Sequence, residues 1–137
     1  MLTLKIFTDG GSKGNPGKAS ISGIFYINNK KIFHFKQPIG IATNNDAEYK
    51  ALIYALEEIK KQKEKLVNDF KVNRIYFYSD SRLLVNQVNG LFKVKNGKIK
   101  EYVLKIRNLE QEINIPIFYH QIPREKNKEA DRLINCS

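Results

Sequence analysis

The sequence predicts an α/β domain: a five-stranded mixed sheet, its first three strands antiparallel, flanked by helices. Two observations carry that expectation. The first part of the chain alternates apolar and polar residues in three consecutive runs, and after residue 45 the apolar period lengthens to that of a helix. Beyond that point strand-like and helix-like stretches take turns, giving the order β-β-β-α-β-α-α-β-α. Strands followed by such an alternation form a mixed sheet with helices on its faces. At 137 residues, with no internal repeat or linker, the whole of 1–137 is read as one domain.

Each element has its own signal. Residues 2–9, "LTLKIFTD", alternate as a strand, and "TDGGSKGNPG" reads as a glycine-rich turn after it. "ASISGIFYIN" is the second strand, "NNK" at 28–30 a hairpin, and "KIFHFKQP" the third strand, followed by a loop "IGIATNN". Leu52, Ala55, Leu56 and Ile59 then fall on one helical stripe, predicting a helix over about 46–63 capped by Asn45. "VNRIYFYS" is a buried strand. "DSRLLVNQVNG" is a short helix closed by Gly90, and Ile99, Val103, Ile106 and Leu109 mark a third helix. "INIPIFYHQI" is the last strand, with Pro116 favouring its start or a sheet edge, and a terminal helix is expected around Ala130 to Ile134.

Composition narrows the classes. Hydrophobic residues at 42% and aromatics at 11% indicate a globular fold rather than disorder. No apolar run approaches the roughly 18 residues of a membrane span, and "MLTLKIFTDG" is too short and alternating for a signal peptide. A cytoplasmic location with no membrane association is therefore expected, with a monomer as the default. One cysteine, Cys136, excludes an internal disulfide and a cysteine-based metal cluster. A formal charge of +10, from 24 Lys and Arg against 14 Asp and Glu, favours a polyanionic partner, nucleic acid first.

Against that basic background a few acids stand at element ends. Asp9 closes the first strand and Asp80 the fourth, and strand ends are where α/β sheets collect their ligand sites. If those strands are parallel neighbours, the two acids stand side by side. Glu48 lies one turn before Leu52 on the stripe that packs against the sheet, where an uncompensated carboxylate is costly. It also fits a capping box with Asn45. Asp131 opens the terminal helix, where it equally suits the helix dipole. Four converging carboxylates would repel one another unless divalent cations sat among them, and an all-oxygen set points to Mg²⁺ or Mn²⁺. Such a cluster inside a basic protein suggests cleavage of a phosphodiester. A non-catalytic module that binds nucleic acid with the same surface is the alternative.

Four motifs in register, "TDGGSKGNPG", "TNNDAEYKAL", "YSDSRLLVNQVNG" and "REKNKEADRL", resemble ribonuclease H of the type 1 family over about residues 4 to 135. The resemblance implies the ribonuclease H-like fold, hydrolysis of the RNA strand of RNA–DNA hybrids to 5′-phosphate and 3′-hydroxyl products, and two Mg²⁺ ions (Mn²⁺ as a substitute). It implies a quartet of Asp9, Glu48, Asp80 and Asp131, with Asp9 bridging both ions. Asp131 would complete one ion site and Glu48 with Asp80 the other. It further implies substrate contacts by Gly10, Asn15, Thr43, Asn44, Asn45, Ser81 and Asn86, with the glycines leaving room for the nucleic acid backbone. Many relatives carry a histidine in the loop before the last acid. Here "QIPREKNKEAD" has none, as in the histidine-lacking branch of archaea and some bacteria, so Arg124, Glu125 or Lys126 are the candidates for its place. The basic helix-loop insertion of longer relatives is also missing from "NGLFKVKNGKIK", where Lys93, Lys95, Lys98 and Lys100 are candidate phosphate contacts.

Overall fold

The computed structural model describes residues 2–130; Asp131 and the rest of the expected terminal helix lie outside the described residues. Strands β1 (Leu2–Gly14), β2 (Gly17–Ile27) and β3 (Lys30–Ala42) form an antiparallel meander. Helix α1 (Asn44–Asn68) returns the chain to β4 (Val72–Ser79), which pairs with β1 in parallel. Helices α2 (Arg82–Val88) and α3 (Gly97–Ile113) precede the edge strand β5 (Ile117–Gln121), parallel to β4. The sheet order is β3-β2-β1-β4-β5, the mixed five-stranded arrangement expected. No described helix is long and apolar enough to cross a membrane.

Alternation sorts the two sheet faces. Leu4, Ile6, Ile75 and Phe77 point inward and are buried against Leu52, Leu56 and Ile59 of α1, with Ile106, Leu109 and Ile113 of α3 behind them. The β2–β3 turn places Asn28 and Asn29 at φ 51° and 63°, as a two-residue hairpin matching strand twist requires. Pro116 directly precedes β5, so its missing N–H costs no ladder bond.

Several boundaries depart from the sequence reading. The expected glycine turn after Asp9 is strand: β1 continues to Gly14 in register with β2, and only Asn15 and Pro16 turn. The third strand likewise runs on to Ala42 through the expected loop. Helix α1 is capped by Thr43, whose hydroxyl accepts from Asp46 N–H at 3.0 Å, and not by Asn45, so Glu48 is no capping-box residue. Its C-terminal end extends five residues past 63, because Leu66 is buried and Lys60 pairs with Glu112 of α3. Asn89 caps α2 and Gly90 follows at φ 76°.

Gly10 has a role that its motif conceals. A Cβ there would overlap the Ala47 carbonyl and the Glu48 nitrogen, so the absent side chain is the seat of the first turns of α1. Gly10→Ala is expected to lower stability by about 1–3 kcal/mol, the usual cost of overpacking. Thermal unfolding of the folded variant checks it, and an unchanged melting temperature would refute the seating argument.

Candidate active site

The parallel ladder between β1 and β4 ends at Phe7–Tyr78, beyond which β1 stays paired only with β2. Asp9, two residues further along β1, and Asp80, directly after β4, therefore flank the crevice where the two strands part. Glu48 enters from above on the second turn of α1. Its Oε1 accepts Gly10 N–H at 2.5 Å, and its Oε2 accepts the Ser79 hydroxyl at 3.3 Å. One oxygen from each of Asp9, Glu48 and Asp80 lies within 4.8 Å of the others. Asp9 and Glu48 are buried, and Asp80 is half-buried. Thus three of the four expected acids meet; Asp131 falls outside the described residues.

Their surroundings make the site unbalanced without a cation. Burial pushes the Glu48 carboxyl up to about 7, with Asp80's charge adding to the rise; hydrogen bonds from Asp9, Gly10 and Ser79 oppose it. All the donors are hard oxygens, a set suited to Mg²⁺ or Mn²⁺ rather than a thiolate-seeking metal. The acids form the floor of a cleft of about 480 Å³ whose rim carries Lys13, Lys18 and Arg124. An anionic backbone can therefore approach cations on the rim while its phosphorus nears the acids.

The remaining site candidates fall into distinct places. Gly10, Asn44, Ser81 and Arg124 line the acid cleft. Ser81 also caps α2 through Leu84 N–H at 3.2 Å. Asn15 and Asn44 tie the hairpin tip to α1: Asn15 Oδ1 accepts Asn44 N–H at 3.0 Å, and Asn44 Oδ1 accepts Ser12 N–H at 2.9 Å. Thr43 and Asn45 border a neighbouring groove with Lys93, Lys95 and Lys98. Asn86 donates to the Arg82 carbonyl of its own helix at 2.9 Å. Glu125 and Lys126 share a short 3-10 turn with Arg124, but Lys126 borders a separate cavity with Lys5 and Phe7.

Two polar residues escaped the sequence reading. Asp46 faces away from the cleft, taking Lys98 Nζ at 3.2 Å and the Tyr102 hydroxyl at 3.3 Å, and so fastens α3 to the start of α1. Burial pushes its carboxyl up, but hydrogen bonds from Lys98 and Thr43 outweigh this and hold it below the ordinary range. The Thr43-x-x-Asp46 spacing was the available signal. Asn127, 1% exposed, donates from Nδ2 to the Thr8 carbonyl at 2.9 Å and, at a long 3.4 Å, to Asp80 Oδ2.

The raised Glu48 value has a consequence for stability. Its folded-state value lies above the ordinary 4.5, so the metal-free protein keeps this contribution below that pH and loses it as pH climbs to about 7. Glu48→Gln is expected to remove that decline and, at pH 7.5 in EDTA, to stabilise the protein by about 1–3 kcal/mol. Melting curves across pH 4–8 test this; a parent protein with a flat profile would contradict it.

Comparison with known proteins agrees with this geometry. Residues 7–137 match the family described as "Reverse transcriptase-like". The chain is 32% identical to the putative hydrolase EbsB of Enterococcus faecalis, over 95% of this chain and 90% of that protein. It is 34% identical to the bifunctional protein Rv2228c of Mycobacterium tuberculosis over 98% of its length, spanning only 35% of that protein. Its fold superposes with a TM-score of 0.89 on an RNase H1 isolated from compost by a metagenomic approach, at 39% identity, covering 98% of this chain and 94% of the other. The same enzyme has been solved in complex with an RNA/DNA hybrid, with a TM-score of 0.88, 38% identity, and 96% and 94% covered. Sequence, sheet order and acid placement agree with one another along nearly the full chain, which belongs to the ribonuclease H type 1 family.

Proposed function

We propose that this protein is a divalent-cation-dependent endonuclease that hydrolyses the RNA strand of RNA–DNA hybrids, leaving 5′-phosphate and 3′-hydroxyl ends. The observation that carries this reading is the meeting of Asp9, Glu48 and Asp80 from three different elements within 4.8 Å. The hybrid held by the related compost enzyme supports the choice of substrate. Asp9, Glu48 and Asp80, with Asp131 as the fourth ligand, would hold two Mg²⁺ ions, for which Mn²⁺ can substitute. Bound there, the ions would supply an activated water and stabilise the leaving 3′ oxygen.

The chain's own residues orient and hold. Lys13, Lys18 and Arg124 attract the phosphates at the rim. The Thr43 hydroxyl uses its lone pair for the helix cap, which leaves its proton free for a phosphate oxygen of the DNA strand. Lys93 and Lys95, in the same groove, add charge where the longer insertion would otherwise stand. Asn15, Asn44 and Asn45, with Ser81 and Asn86, are assigned to the minor groove, where 2′-hydroxyls distinguish RNA from DNA. Arg124 takes the position of the loop histidine as an electrostatic clamp: a guanidinium stays protonated, so it cannot shuttle a proton as imidazole does. The protein is taken to act as a monomer in the cytoplasm.

A strand-labelled hybrid incubated with Mg²⁺ should show cuts in the RNA strand alone. Asp80→Asn should retain the fold and lose at least about 100-fold in rate, since even outer-shell partners of a metal cost 10–100-fold. Cleavage of the DNA strand, or full activity of the variant, would overturn the assignment. Arg124→Ala should raise KM more than it lowers kcat and flatten the salt dependence of binding; a purely kcat effect would instead make Arg124 part of the chemical step.

A further inference from the structure

Asn127 stands outside the set of acids and rim cations, yet it joins them. The residue is 1% exposed, and its amide nitrogen donates to two groups at once: the Thr8 carbonyl at 2.9 Å and Asp80 Oδ2 at 3.4 Å. Thr8 is the residue before Asp9, so one amide spans the two strands whose acids flank the crevice. Nδ2 is also the one kind of group a crowded set of carboxylates needs, a neutral donor that favours the ionised form without competing as a cation.

A purely structural reading is available: Asn127 precedes the helical residues 128–130 and could serve as their N-cap. The hydrogen bonding disagrees with it. Asn127 Oδ1, the atom a cap would use, is buried without a hydrogen-bond partner. The segment also has other tethers, with Ser22 donating to the Ala130 carbonyl at 2.6 Å and Tyr26 to Glu129 at 2.6 Å. A buried amide that forgoes its capping bond and aims its donor at an acid of the site is held there for that acid.

We propose that Asn127 is a positioning residue of the acid site: its amide fixes the Asp80 carboxylate against the end of β1, setting the spacing between Asp80 and Asp9 into which a divalent cation fits. This rests on the reading of the acids as a cation site given above. Asn127 lies four residues before Asp131 in the chain.

The test compares Asn127→Ala with Ser22→Ala, which loosens the same segment by removing the bond to the Ala130 carbonyl. Mn²⁺ binding is read by calorimetry on variants whose circular dichroism shows them folded, alongside melting temperatures in EDTA. Asn127→Ala should bind Mn²⁺ about 10-fold or more weakly, the range seen when an outer-shell partner is lost, while Ser22→Ala should melt earlier and bind normally. Equal binding by parent and Asn127→Ala would overturn the proposal, and so would an equal weakening in Ser22→Ala. If Asn127→Ala does not fold, the parent protein decides: on Mg²⁺ titration the Asn127 side-chain amide should be among the most shifted NMR signals, and an unmoved amide beside shifting Gly10 and Ser81 signals would refute it. A parent protein that binds no divalent cation at all would sink the reading of the site itself, a result distinct from either.

Discussion

The structure depends on how closely the start of α1 approaches β1 at Gly10. Only a residue without a side chain lets the Ala47 carbonyl and Glu48 nitrogen settle onto the strand, and that approach delivers Glu48 to the two strand-borne acids. The same seating sets Thr43 as the cap and brings Asn44 within reach of both Ser12 and Asn15, so the hairpin tip, the helix start and the acid floor form one connected body. Displacing the helix by the width of a methyl group would disturb all three together, since packed interiors do not absorb such volume without strain.

That body is built for a ligand rather than for its own stability. Burial of Glu48 beside Asp9 and Asp80 raises its carboxyl to about 7, which means the three acids resist joint ionisation. A fold optimised for stability alone would place an apolar side chain on that turn of α1, as it does at Leu52 and Leu56 further along the stripe. Local departures from good packing chemistry concentrate where function requires them, and a bound cation would compensate this one. In the proposed reading, a chain of +10 with acids at the centre of its cleft would separate two tasks, capture of a polyanion at the edge and chemistry on the floor.

Much of this was legible from the sequence because its periodicity is strong. Three alternating runs and one long helical stripe gave the order of elements and the mixed sheet, and acids at strand ends gave the floor of the site. What was not legible depended on contacts between segments distant in the chain. Glycines after Asp9 read as a turn, since nothing local reveals that β2 continues to pair with them or that α1 fills the space above Gly10. The cap of α1 was placed two residues late because Thr43, Asn44 and Asn45 are all good caps by type, and only the backbone decides among them. Asp46 and Asn127 look like ordinary surface polar residues in sequence. Their burial is set by α3 and by the ends of β1 and β4, which local pattern does not report.

The short connection between α2 and α3 shows how the fold manages without the longer basic insertion. Asn96 caps α3 through Lys98 and Ile99 N–H, at 2.8 and 3.3 Å, so α3 starts at a fixed point beside the groove. Asp46 then draws Lys98 onto α1, with Tyr102 stacked on Tyr49 at 5.4 Å below. One lysine of the basic cluster is thereby spent on holding the groove's wall rather than on phosphate, while Lys93 and Lys95 remain exposed along it. The Tyr49 hydroxyl donates to Gln87 of α2 at 2.7 Å, closing a chain of contacts from α3 through α1 to the helix that follows Asp80. If the groove takes phosphates as proposed, a wall already tied in place would lose less side-chain and loop freedom on binding than a longer basic arm. The compact region is thus held by the same helix start that seats Glu48, through Asp46.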